Sequence, residues 1–285
     1  MQKKYLFWSL FFGCILFLSA AVCAAQTPDN ILKTIVKIKA DIPKDAATAQ
    51  ILGTERQGNG VIIDKRGHIL TIGYLILEAE TIEVTKSNGD QVKADFVAYD
   101  YQTGFGIIRA AEPLLIAPLK LGQSIRLKTG DPVLIAGFGG TEAVLGSRVV
   151  SRKEFAGYWE YLLENAIYTS PPYPNYGGAA LIDRDGQLLG IGSIFTRINI
   201  DGLGVIPCNM SVPIDLLKPI LTDLINTGRS SAPPQPWLGV HADEAHGRVF
   251  IIRVTPEGPA AKAGIKAGDV VVAVNQKPVK GLAQF

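Results

Sequence analysis

Two serines flank the short turn at residues 174–178 and could in principle attack a carbonyl carbon. These are Ser170 and Ser193. A serine becomes a nucleophile when a neighbouring base takes its proton. The chain has three histidines, and the sequence places none of them beside either serine. We expect the first, His68, to be exposed because it follows a turn. Hydrolysis through an unconventional serine site stays open as an alternative, since catalytic groups are recognised by geometry and not by order.

Cys208 is the third side chain with nucleophilic chemistry. The other two cysteines, Cys14 and Cys23, fall in an apparent leader, so the mature chain has no cysteine with which Cys208 could form an intramolecular disulfide. Cys208 follows the apolar residues 205–207, and no histidine is near it in sequence. The pattern predicts a small buried hydrophobic residue.

A histidine- and carboxylate-bearing stretch at residues 241–246 could bind a metal ion. Its polar members are His241, Asp243, Glu244 and His246. Neither their order nor their spacing matches a known ligand pattern, so a solvated hairpin loop is the better prediction. We therefore expect no metal and no other cofactor.

The first 25 residues have the pattern of a secretory signal. Lys3 and Lys4 precede an apolar run over residues 5–22, and small residues follow at 23–25. Cleavage there would give an exported protein, periplasmic or extracellular. An uncleaved segment would instead anchor the chain in a membrane, because its length is near the spanning minimum. Without the two lysines the net charge falls from +2 to about zero, which gives no indication of a nucleic-acid partner.

Short β-branched runs separated by turn residues recur from residue 31 to about residue 210. This spacing predicts an antiparallel barrel or sandwich and not alternating βαβ units. We expect residues 41–56 to form a mobile loop. The Gly-Asn-Gly at residues 58–60 lacks the following helix of a phosphate site, so it predicts a strand where two backbones come close.

Different patterns follow this β-rich region. Residues 213–226 have helical periodicity, with Pro219 as a kink and Gly228 as the stop. Residues 229–236 have linker composition. From Trp237 onwards, two β-branched strands surround a short helix at residues 259–264. The predicted division is a signal at 1–25, a double barrel with its helix at 26–228, a linker at 229–236 and a second domain at 237–285.

The order of these units resembles the HtrA/DegP-type serine proteases. Residues 174–180 resemble the nucleophile turn of that family, and residues 258–269 carry a PDZ signature. The resemblance covers nearly all of the mature chain. It implies an all-β fold, a chymotrypsin-like double six-stranded β-barrel followed by a helix, a linker and a partial α+β PDZ domain, because the last PDZ helix would lie beyond Phe285.

The family's catalytic positions hold other residues in this chain. The resemblance places Tyr74 where the family has its histidine, Gly104 where it has aspartate, and Tyr176 where it has serine. A phenol with a pKa near ~10 cannot act as a general base at neutral pH. Asp100 lies four residues from Gly104, ~13 Å along an extended chain, and is too far away to substitute.

The residue that supplies a backbone N–H to the oxyanion hole also differs from the family. The fold uses the backbone N–H two residues before the nucleophile, and Pro174 has none. Losing one such donor costs on the order of 10²–10³ in rate. On these residues we expect a chain that is not an enzyme. We also expect the rings of Tyr74 and Tyr176 to face each other and fill the cleft.

Since the catalytic positions differ, the function that the resemblance still implies is the recognition of peptides. In family PDZ domains the segment matching Trp237, Leu238, Gly239 and Val240 receives a peptide C-terminal carboxylate. The alternative is that Trp237 and Leu238 only fill the seam between domains. The prediction is an inactive HtrA-type homologue that binds peptides, protein C-termini or unfolded envelope proteins. It would form a homo-oligomer, a trimer by resemblance, or assemble with an active relative. A purely structural subunit and an active serine-type endopeptidase of envelope quality control are the alternatives.

Overall fold

The computed structural model describes residues 27–157, 161–233 and 236–285. The predicted signal at residues 1–25 and part of the predicted linker, Pro234 and Gln235, lie outside the described residues. Within the described part of the chain, no helix is long and apolar enough to cross a membrane.

The first barrel closes six antiparallel strands. In chain order they are β1 Ile35–Asp41, β2 Glu55–Ile62, β3 His68–Ile72, β4 Thr81–Thr85, β5 Gln91–Tyr99 and β6 Phe105–Ala110. The sheet order is β1-β2-β3-β6-β5-β4, and β4 pairs back with β1. The alternation of apolar and charged side chains along β1 favours this closure. Ile38 and Ala40 are buried in the core, whereas Lys37 and Lys39 face outward.

The second barrel also closes six strands. They are β7 Pro132–Ala136, β8 Val144–Ala156, β9 Leu162–Ser170, β10 Ala180–Ile182, β11 Leu188–Ile200 and β12 Gly204–Pro213. Their order is β10-β11-β12-β9-β8-β7, closed by pairing of β10 with β7. The predicted double six-stranded barrel is confirmed.

A smaller β-unit follows. It has a three-stranded sheet of β13 Val240–Ala245, β14 Arg248–Val254 and β15 Val270–Val271, and a two-stranded sheet of β16 Ala273–Val274 and β17 Lys277–Pro278. In the part of the chain that the structure describes, four helices accompany the sheets: α1 Pro28–Lys33, α2 Ala49–Leu52, α3 Leu221–Thr227 and α4 Pro259–Lys262. The single-turn 3₁₀ segments are Gly73–Leu75, Ser124–Arg126, Gly140–Ala143, Ile214–Leu216 and Leu282–Gln284. The exact domain boundaries given above stay a prediction.

The predicted helix at residues 213–226 is wrong in detail. Strand β12 runs on to Pro213, and the predicted single helix is divided into the turn Ile214–Leu216 and the helix α3. Pro219 separates the two because a proline offers no N–H to a helix. Gly228 does end α3, with a left-handed φ of 75°.

The segment predicted as a mobile loop, residues 41–56, contains regular structure and is fastened to the barrel by one arginine. It contains α2 and the start of β2. The guanidinium of Arg56 is buried and donates hydrogen bonds to the carbonyl oxygens of Tyr74, at 2.7 Å, and of Leu77, at 3.0 Å. Glu78 accepts a 2.9 Å bond from the backbone of Thr48. These contacts tie the segment to the turn that carries Tyr74.

The prediction that His68 is exposed is also wrong. His68 is 4% exposed, and its Nδ1 lies 2.6 Å from Oδ2 of Asp64. Partial burial raises the pKa of Asp64, but hydrogen bonds from the side chain and backbone of His68 and from Arg66 outweigh this, so the pKa lies below its ordinary value. Asp64 therefore organises the β2–β3 turn.

We expect Asp64→Asn to lower the free energy of unfolding by about 1 kcal/mol at pH 7. Because the folded pKa of Asp64 is depressed, its contribution is present above the unfolded pKa and is lost as pH falls through the folded value. The deficit of the variant should therefore shrink in urea unfolding at pH 3. Asp45→Asn, an exposed carboxylate, is the control. A deficit that is the same at both pH values would contradict this assignment.

Candidate functional site

The turn at residues 174–178 is fastened to the first barrel by Asn59. The backbone N–H of Asn59 donates to the carbonyl of Gly177 at 2.8 Å. Its side-chain Nδ2 donates to the carbonyl of Asn175 at 2.7 Å, and its Oδ1 accepts from the backbone N–H of Phe138 at 2.8 Å. A Cβ on Gly58 would lie 2.8 Å from the carbonyl oxygen of Gly177. The predicted close approach of two backbones at residues 58–60 is confirmed.

Gly178 is the tightest point of this contact. It has a φ of +74°, and a Cβ placed on it would lie 1.9 Å from the carbonyl oxygen of Asn59. Its N–H donates to Gly192 on β11 at 2.9 Å. Only glycine fits here, because both the left-handed backbone and the lack of space exclude a side chain. The turn thus has one available shape.

Tyr74 reaches this turn from the first barrel. It lies on the 3₁₀ turn after β3, and its hydroxyl donates to the backbone carbonyl of Ser193 at 2.7 Å. A Cβ on Gly177 would lie 2.9 Å from that hydroxyl oxygen. Tyr74 is therefore held at the cleft by a backbone acceptor on the second barrel.

Tyr161 occupies the space beside Gly104. A Cβ on Gly104 would lie 2.1 Å from Cε1 of the Tyr161 ring, and Gly104 has a φ of +79°. The Tyr161 hydroxyl is hydrogen-bonded to the hydroxyl of Ser193, and both residues are buried. The ring of Phe155 packs against Tyr161, with centroids 5.9 Å apart. A side chain of the second barrel therefore fills the position that the resemblance assigns to a carboxylate.

Asp100 serves the turn that precedes Gly104. It is buried, and its Oδ2 accepts hydrogen bonds from the backbone N–H of Thr103 at 3.0 Å and from the hydroxyl of Thr103 at 2.6 Å. Its carboxylate is therefore engaged within its own turn. The expected separation from Gly104 of ~13 Å along an extended chain is wrong, because the chain turns here and the N–H of Gly104 donates to the backbone carbonyl of Asp100 at 2.8 Å.

Tyr74 and Tyr176 line one cleft, together with Pro174 and Lys37. The prediction that the two rings fill this cleft is wrong, because a cavity of about 560 Å³ remains between the barrels. The rings form part of its wall.

The remaining candidate nucleophiles have partners. Ser170 donates to the carbonyl of Pro207 at 2.9 Å, and Ser193 is bonded to Tyr161. Cys208 is fully buried, and burial raises the pKa of its thiol to about 11. The prediction of a buried hydrophobic cysteine is confirmed.

The histidine-bearing stretch forms the hairpin of β13 and β14. His241, Asp243 and Glu244 lie on β13, and His246 lies in the turn with a φ of 52°. Among the described residues, no group of three His, Cys, Asp or Glu side chains could hold a metal ion. The expected hairpin is confirmed.

The predicted peptide loop lies just before β13. The carbonyl of Leu238 accepts from Ala260 at 2.9 Å, and that of Gly239 accepts from Thr255 at 2.8 Å. Within residues 236–285 and the rest of the described chain, the N–H groups of Leu238 and Gly239 make no hydrogen bond. Trp237 and Leu238 are exposed. They line a cavity of about 530 Å³ that also includes Tyr99 and Tyr101 of the first barrel.

Sequence reasoning missed Tyr161 and the side-chain role of Asn59. Tyr161 carries no local signal, because its partner Gly104 is far away in the chain. Asn59 lies between two glycines at a predicted close approach, and a long polar side chain at such a place could have indicated a bridging hydrogen bond.

Comparison with known proteins gives two domain matches. A trypsin-like peptidase domain matches residues 58–191, and a PDZ domain matches residues 236–285. The periplasmic serine endoprotease DegP of Salmonella typhimurium strain LT2 is 29% identical over 240 residues, which is 79% of this chain and 50% of that protein. The periplasmic pH-dependent serine endoprotease DegQ of Escherichia coli K12 is 28% identical over 249 residues, 81% of this chain and 53% of that protein.

The chain thus spans about half the length of the curated relatives it matches. Among solved structures, one titled "HtrA-type protease AlgW with tripeptide" has a TM-score of 0.55 and 21% identity, covering 91% of this chain and 86% of that chain. At that identity the likeness shows the fold.

These comparisons correct one prediction. The expectation that the chain is not an enzyme is contradicted, because the similar proteins are named serine endoproteases and the matched domain is a peptidase domain. The assignment of Tyr74, Gly104, Tyr176 and Pro174 to the family's catalytic positions is tested by none of these matches and stays a prediction.

We expect Gly178→Ala to destabilise the protein by about 3 kcal/mol, because the new Cβ meets a backbone oxygen and the left-handed φ is strained. Gly146→Ala on β8 is the matched control, since its Cβ would meet nothing within 4 Å, and it should stay within about 0.5 kcal/mol. Urea unfolding followed by circular dichroism measures both. Equal stability of the two variants would contradict the proposed contact.

We expect Tyr161→Phe and Ser193→Ala to be coupled in a double-mutant cycle by about 1 kcal/mol, because each removes the partner of the other hydroxyl. The control pair is Tyr74→Phe with Ser193→Ala. Tyr74 bonds the backbone carbonyl of Ser193, which the alanine keeps, so this pair should be additive. Denaturant unfolding gives the four free energies of each cycle, and additivity of the first pair would rule out its hydrogen bond.

Proposed function

We propose that this chain, a homologue of the HtrA/DegP-type serine proteases with a trypsin-like peptidase domain and a PDZ domain, binds extended peptide segments that end in a free carboxylate. The observation that carries the proposal is the pair of unbonded backbone N–H groups of Leu238 and Gly239, next to a strand with an open edge.

The loop offers an anion its two donors. Gly239 has a φ of +73°, and consecutive N–H groups around such a residue form a concave site that attracts a carboxylate. Within the described residues the two N–H groups have no acceptor, and a ligand carboxylate would supply one for each. Trp237 and Leu238 flank the donors with exposed apolar surface.

Strand β13 offers the rest of the contact. In the described sheet order β13-β14-β15 it is an edge strand, with β14 as its partner. A peptide that extends from the loop along this edge would continue the antiparallel sheet through backbone hydrogen bonds. The neighbouring cavity of about 530 Å³ has room for the last side chains of the peptide.

The comparisons support the ligand class and the compartment. One similar structure is titled as an HtrA-type protease with a tripeptide, and the curated relatives are named periplasmic. We therefore place this chain in the periplasm, exported by residues 1–25, with protein C-termini as its ligands. Assembly into a homo-oligomer is part of the proposal, and sizing chromatography with and without peptide tests it.

A peptide with a free C-terminus should bind at least about ten-fold more tightly than the same peptide with a C-terminal amide, because the amide removes the charge that the loop receives. Fluorescence anisotropy with an N-terminally labelled peptide measures both affinities. Equal affinity for the two peptides would overturn the proposed site.

Gly239→Ala should weaken binding of the free-carboxylate peptide, since the new Cβ strains the loop and would lie 3.2 Å from the Trp237 ring. Gly264→Ala is the control, because Gly264 has a similar φ of +83° but nothing within 4 Å and lies outside the loop. Loss of affinity in both variants alike would show a general effect of backbone strain. Adding an unlabelled peptide and following fragments by mass spectrometry reports cleavage in the same samples.

A further inference from the structure

The cleft between the barrels has an uneven charge. Its described lining combines backbone with aromatic and amide side chains, and it holds one charged group, the ammonium of Lys37. No carboxylate is part of that lining. The neighbouring cavity of about 340 Å³ beyond Phe138 is different, because it contains both Asp29 and Lys33. The larger cleft is thus cationic.

The strand pairing explains why Lys37 stays without a counterion. On β1 it lies opposite Asn59 of β2 and Thr85 of β4, which are neutral. Lys39 is the next residue on the same face, and its Nζ lies 3.3 Å from Glu55 and 3.9 Å from Asp41. Within the described part of the chain, Lys37 forms no ion pair.

Some of the other polar groups of the cleft are already hydrogen-bonded within the protein, and others can donate to a ligand. Both side-chain atoms of Asn59 are engaged by Asn175, Gly177 and Phe138. The hydroxyl of Tyr176 makes no hydrogen bond in the described structure. Lys37 and Tyr176 both line this cavity, and an ammonium and a phenol form a donor set that matches a carboxylate.

We infer that this cleft binds an acidic side chain, Asp or Glu, of an extended peptide segment, with Lys37 as its ion-pair partner and Tyr176 as a second donor. The inference deepens the proposed function, since it gives the peptide a second contact that selects its sequence. It uses residues remote from the loop at Trp237, so the two sites can fail separately.

Peptides blocked at both ends separate the two sites. An acetylated and amidated peptide has no terminal carboxylate for Leu238 and Gly239, so its binding reports the cleft. We would titrate two such peptides, identical except for a central Glu or Gln, into the full chain by isothermal titration calorimetry at low ionic strength. The Glu peptide should bind at least about five-fold more tightly, and the difference should shrink with added salt.

Lys37→Met should remove the preference for Glu, and Lys39→Met should retain it because Lys39 already has its own carboxylates. Lys37→Met keeps the apolar stem, and thermal unfolding checks that both variants are folded. Equal affinity of the two peptides for the unmodified protein, no binding of either, or a preference that survives Lys37→Met would each overturn the inference. If the blocked Glu peptide binds more tightly than the Gln peptide while free and amidated termini bind alike, the loop proposal fails and the cleft inference stands.

Discussion

The candidate site depends on one backbone contact between the two barrels. The carbonyl oxygen of Asn59 on β2 lies where Gly178 would carry a Cβ, and the N–H of the same residue bonds Gly177. Two barrels that meet through main-chain atoms have a fixed separation, because neither side can repack as side chains do. This contact holds the turn that carries Tyr176 against the first barrel, and the bond from Tyr74 to Ser193 also joins the two barrels.

A second set of contacts fills the space beside it. Tyr161 of the second barrel packs over Gly104 of the first, and its hydroxyl pairs with Ser193. Buried hydroxyl groups are tolerated when they are hydrogen-bonded. The hydroxyls of Tyr161 and Ser193 satisfy each other, so both can lie buried at the interface between the barrels. The cleft itself stays open towards Lys37 and Tyr176. The result is a packed, hydrogen-bonded interface beside an open cleft whose described lining has Lys37 as its one charged residue.

Much of this architecture was predictable from local sequence. Alternating residues such as Ile38 and Lys39 indicated strands, and the Gly-Asn-Gly at 58–60 indicated a close approach. The break in the helix at Pro219 could also have been predicted from the sequence, since a proline inside a helical pattern lacks the backbone N–H that the helix needs. Contacts between residues that are distant in sequence could not be predicted. Nothing near Tyr161 shows that it lies over Gly104, and the burial of His68 depends on how Asp64 closes its turn.

The proposed peptide site rests on the binding of a carboxylate by the backbone donors of the loop before β13. Two-dimensional NMR of the perdeuterated, ¹⁵N-labelled protein tests it at the atoms concerned. We expect the amide protons of Leu238 and Gly239 to shift strongly downfield with a free-carboxylate peptide, because they gain a charged acceptor, and much less with the amidated peptide. Unchanged resonances of these two amides in the presence of a peptide that binds, or equal shifts with both peptides, would contradict it.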